Sequence, residues 1–156
     1  MLDVDQLTHL LERGLRDAAQ LRDAEIAAVL HTLGRPAMRD AAIAVMTGNL
    51  DDAARLSHSL APSSAWFTDG PLDGDAIAHA RPLLHRLAAE ATSPAGAATV
   101  AAILAYLDWA EDHPVRAVAR LHQHSEDPLG ALLQRMIAAG APGPRVHAPT
   151  SRRHTR

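Results

Sequence analysis

Glu111, Asp112 and His113 stand together just before Pro114, and two carboxylates beside an imidazole are the residue types that general acid–base chemistry uses. On a helix, however, successive side chains point about 100° apart, so three neighbours cannot address one substrate atom. Pro114 also drives His113 out of the helical region. The run therefore reads as the end of one helix and the entry to the next. Ten histidines raise the question of a metal. Two histidines share a helix face only three or four residues apart, whereas His79 and His85 are six apart and His122 and His124 two. No metal site is expected from these spacings. There is no cysteine, which excludes disulfides and thiolate zinc sites. Neither a G-x-S-x-G elbow nor a G-x-x-x-x-G-K-[ST] phosphate loop occurs, and the second needs a lysine that the chain lacks. No catalytic residue, cofactor or small-molecule ligand is implied. An enzyme is left as an alternative in which His79, His85 or His113 would meet a second group only in three dimensions.

All 15 basic residues are arginine, a bias that a GC-rich genome explains together with the excess of alanine. Their placement matters more than the net charge of -3. Every acid lies before residue 128, while Arg145, Arg152, Arg153 and Arg156 crowd the end, so an acidic body precedes a basic tail. An acidic body argues against a nucleic-acid-binding core. The segment "DAEIAAVLHTLGRPAMRDAAIAVM" has the outline of a helix-turn-helix. Its second helix offers only Arg35 and Arg39 to bases, beside Asp40 and a run of Ala, Ile, Val and Met, which describes a packing helix. Nucleic acid is thus a secondary expectation, resting on the four tail arginines and the Arg35/Arg39 region.

The elements that would position any site are helical. Apolar residues make up 47% of 156 residues but aromatics only 3%. A core of Leu, Ile, Val, Met and Ala without strand-forming runs suits helix on helix. Punctuation by Asp, Asn, Ser, Pro and Gly yields about eight segments. Asp3 or Asp5 caps a helix carrying Leu7, Leu10, Leu11 and Leu15. Asp23 precedes the stripe Ile26, Val29, Leu30, Leu33, closed by a left-handed Gly34. Pro36 opens a third helix stopped by Gly48, and Asn49 caps a fourth reaching Leu60. Residues 61–74 are loop, with Trp66 and Phe67 either folded onto the core or presented to a partner. Asp73 or Asp75 starts a helix to about Ala91 in which Pro82 must kink the helix or mark a new start. Ser93-Pro94 opens an almost wholly apolar helix over 94–111, expected to be central. A helix from Pro114 to about His124 buries Val118 and Leu121 and exposes Arg116, Arg120 and Gln123. Asp127-Pro128 then starts the stripe Leu129, Leu132, Leu133, Met136, Ile137, ending at Gly140. Residues 141–156 are expected to be a disordered Arg-rich tail.

From Ile103 to Gly140 the order of apolar helix, short turn, Ala-rich helix, Asp-Pro and amphipathic helix resembles a degenerate tetratricopeptide-type hairpin, carried by Leu104-Ala105, Ala117 and Leu121. No second copy follows, so a repeat array with a concave groove is not expected. The residues Leu104-Ala105-Tyr106, Trp109, Ala117, Leu121 and Asp127-Pro128 also resemble the helical C-terminal region of an actinobacterial family, the domain of unknown function 4192 family. Coverage runs from Arg22 to about Gly140, without the α/β part that precedes those helices in the family. That resemblance implies a helical fold and brings no activity with it.

The expectation is a single all-α domain over 1–140, an irregular bundle or helical-hairpin array of about seven or eight helices. Its start lacks the basic segment and long apolar stretch of a secretory signal, and no stretch is apolar enough to span a membrane, so a cytoplasmic location is expected. The expected function is a non-catalytic interaction or scaffold module that binds a protein partner or a second copy, with Trp66, Phe67, Arg116 and Arg120 as candidate contacts. The alternatives are a nucleic-acid-associated regulator using the tail and an enzyme as above.

Overall fold

A computed structural model describes residues 1–48, 72–124 and 126–147. The fourth helix expected from Asn49, the loop with Trp66 and Phe67, and Arg152, Arg153 and Arg156 lie outside the described residues. The fold is all-α, with seven α-helices among the described residues and one two-stranded sheet. Helix α1 (Val4–Arg16) begins at a capping box, in which Asp3 accepts from the Gln6 amide at 2.8 Å and the Gln6 side chain accepts from the Asp3 amide at 3.1 Å. A 3₁₀ turn (Ala18–Gln20) leads to α2 (Asp23–Leu33). Here Arg22, not Asp23, is the cap position, and Glu25 reaches back to accept from its amide at 2.9 Å. Helix α3 (Pro36–Met46) follows at once.

From residue 72, β1 (Leu72–Asp73) leads into α4 (Gly74–Glu90), which starts on the Asp73 side chain. Pro82 lies inside this one helix and does not begin a new one. Helix α5 (Pro94–Ala110) starts on the Ser93 side chain and α7 (Pro128–Ala138) on that of Asp127, while α6 (Pro114–His122) follows His113, whose side chain makes no cap bond; all three carry proline in the first turn. The closing strand β2 (Val146–His147) runs parallel to β1.

Two groups of helices share one core. Helix α1 packs on α2, α3 and α4, while α5 packs on α2, α4, α6 and α7. Helix α5 is buried on every side from Ala102 to Ala110, as its apolar circumference requires. In α6 the buried residues are Ala117 and Leu121, with Val118 half-buried and Val115 on the surface.

Two expectations need correction at helix ends. Gly34 is right-handed, at φ -62°, and α3 begins two residues later. The reversal between α5 and α6 instead falls on Asp112, at φ 62°, the one non-glycine residue with positive φ among those described. His113 donates its amide to Asp108 O at 2.8 Å and Asp112 to Trp109 O at 3.1 Å, the paired bonds of a Schellman close. Secondly, the segment expected to be disordered from residue 141 is ordered over 141–147. The Trp109 indole donates to Ala141 O at 3.3 Å, Pro144 is buried, and Leu72 donates to Arg145 O at 2.7 Å. A Cβ on Gly143 would lie 2.4 Å from Trp109 O, so only glycine lets this strap cross the end of α5.

Candidate functional site

Asp108 sits on the buried face of α5 and is fully buried. A buried carboxylate is tolerated only when its charge is met, and cations from two neighbouring helices meet it. Arg81 from α4 places Nη1 3.0 Å from Oδ1, and Arg120 from α6 places Nε 2.5 Å from Oδ2. Arg116 stands 4.0 Å away with its side chain 57% exposed. Arg81 also grips Glu111 at 2.6 Å. Arg116 and Arg120, expected on the surface, are thus turned in different degrees toward a structural ion cluster, with Arg120 half-buried. His113 is exposed and enters this corner only through its backbone.

A second buried network lies nearer the start of α5. Thr99 donates to Asp127 Oδ2 at 3.0 Å, tying the entry of α7 to α5. Asp127 Oδ1 accepts from the amides of Leu129 and Gly130 at 2.8 and 3.3 Å, and lies 3.5 Å from Arg39 Nη1. Arg39 in turn grips Asp40 through Nε and Nη2 at 3.1 and 3.0 Å. Burial pushes the Asp40 carboxyl above its ordinary range, Asp127 pushes the same way, and Arg39 opposes both. Two buried carboxylates thus share one guanidinium. Arg39 is spent inside the protein and unavailable to nucleic acid, while Arg35 stays exposed.

Above this network opens a groove of about 690 Å³. One wall is α2, through Ile26, Leu30 and His31; the other joins the α4–α5 turn, Glu90 to Gly96, to the α7 entry at Glu126, Asp127 and Pro128. Ile26 is buried, whereas Leu30 is only half-buried and leaves apolar surface open beside Pro94, Ala95 and Pro128. Among the described residues, four acids and no arginine line it: Asp23, Glu90, Glu126 and Asp127. These carboxylates are spread along the groove, and no group of three or more His, Asp or Glu able to hold a metal occurs among the described residues.

The groove was not legible as a site. Ser93-Pro94 and Asp127-Pro128 are visible as two helix starts, but nothing in the chain says that they lie side by side. His79 and His85 lie on the exposed side of α4, with His79 Nδ1 2.7 Å from Asp75 O, and neither lines the groove. Arg145 is exposed on the strap. By architecture the molecule is an irregular all-α bundle with a groove of about 690 Å³ among its helix ends. No helix among the described residues is long and apolar enough to cross a membrane. Family models, curated proteins and solved structures were compared with the chain, and none matches it.

Proposed function

We propose that this protein is a non-catalytic interaction module that holds a protein partner in the groove between α2 and the entries of α5 and α7. The observation that carries this reading is the open apolar surface of Leu30, Pro94, Ala95 and Pro128 inside a concavity of about 690 Å³. Concave, mostly apolar clefts with a few polar groups are where proteins bind other molecules. The groove's ionisable groups are either spent on structure, as Asp127 is, or spread along its length, so the arrangement suits contact better than bond-making. The likeness to the domain of unknown function 4192 family fits a helical module and supplies no activity.

The test is site-specific photocrosslinking in the native host. A photoreactive residue replacing Ala95 should give a discrete heavier adduct, and the same residue at His79 should not. An adduct of twice the chain mass would identify the partner as a second copy. Absence of any adduct at position 95, or equal labelling at both positions, would overturn the reading.

A further inference from the structure

We infer that the groove takes a cationic segment of its partner, a short stretch in which Arg or Lys flanks apolar side chains; this rests on the groove being the binding site. The sign of the charge follows from how the helix ends are finished. Helix entries ordinarily favour anions, because their first amides lack partners and the dipole is positive there. Here most of those amides are answered from within: Pro94 and Pro128 have none to offer, Ser93 accepts from Gly96 at 3.0 Å, and Asp127 accepts from both Leu129 and Gly130, which leaves the Ala95 amide alone without an acceptor among the described residues. The α7 entry therefore presents a carboxylate where an anion would otherwise sit.

Two further observations make the groove negative. Beneath it, Asp40 and Asp127 share the single Arg39, so neither buried carboxyl has a guanidinium to itself. Along the rim, Glu90 and Glu126 are exposed and form no ion pair among the described residues. Asp23, its side chain 92% exposed, lies 3.7 Å from Arg86, too loosely held to cancel its field. Phosphate-bearing partners would be repelled by this lining, and separated carboxylates do not cage a small cation. An Arg or Lys side chain answers both features, since its aliphatic stem lies along apolar surface while its head reaches the rim.

Three fluorescein-labelled 12-residue peptides with identical Leu and Ala content, bearing four Arg, four Gln or four Glu, provide the probe. The Arg peptide should bind, weaken about tenfold between 50 and 300 mM salt as exposed charges are screened, and weaken about tenfold with Glu90→Gln plus Glu126→Gln. Glu90→Arg plus Glu126→Arg should transfer preference to the Glu peptide. Both positions are exposed, so the variants keep the fold, and melting curves verify this. If the Gln peptide binds as tightly as the Arg peptide and Ala95→Trp blocks both, the groove reading stands and the charge inference fails. Arg-peptide binding that ignores the rim variants also overturns the inference, as does no binding of any peptide while the position-95 crosslink persists. Loss of both the crosslink and all peptide binding overturns the two together.

Discussion

At the scale of single residues, the charges that matter are those whose neighbours were chosen by the fold. Glu25 accepts from the Arg22 guanidinium and amide and from Arg13, and these bonds hold its carboxyl down to about 2. A depressed folded-state value means that the unfolded chain takes up the proton first, so the contribution is complete above about pH 4.5 and lost as pH falls toward 2. Glu25→Gln should therefore lower the melting temperature at pH 7, with the gap to the parent closing between about pH 5 and 2. A gap that stays constant over that range would show that the carboxylate's charge is not what matters. Asp108 is the stronger case. Asp108→Ala strips Arg81 and Arg120 of a fully buried partner and should cost about 3 kcal/mol in denaturant unfolding. His113→Ala, an exposed imidazole away from any described bond, should stay within about 0.5 kcal/mol.

At the scale of elements, helix starts were legible and helix closures were not. Asp3, Asp73, Ser93 and Asp127 each cap the helix expected to follow, because a cap needs only one side chain and its own next few amides. Closure depends on where the chain must go next. Gly34 is spent in a right-handed turn, while Asp112 bears the left-handed strain at the tighter reversal between α5 and α6. An L side chain there costs more than glycine, although aspartate is among the better tolerated. Asp112→Gly should stabilise the protein by about 0.5–1 kcal/mol, measured as a raised denaturant midpoint with unchanged slope. No change or a loss would mean that the Asp112 side chain offsets its own strain.

For the whole molecule, the core closes only when the strap over 141–147 is in place. Trp109 is 3% exposed, its ring set edge-on to Tyr106 at 6.4 Å, and the strap supplies both the indole's acceptor and part of its cover. Ending the chain at Gly140 removes that cover and unpairs β1, and should lower stability by about 2 kcal/mol. In a Trp66→Phe background the emission of Trp109 should shift to the red. Gly143→Ala should give a similar shift, because its Cβ cannot be placed against Trp109 O. Unchanged emission in both variants would show that the strap is not needed to bury the ring.

By itself the sequence determined the class of fold, the apolar centre at α5 and most helix starts, since each is a matter of local spacing: period, cap and proline act within a turn or two of chain. It also showed the arginines and acids, though not their assignments. Asp108 meeting Arg81, Asp127 sharing Arg39 with Asp40, the strap over Trp109 and the acidic groove all join residues distant along the chain, and only packing decides which helix ends become neighbours. A buried charge must find its partner in three dimensions, so tertiary structure decided which arginines hold the protein together and which acids remain free to meet another molecule.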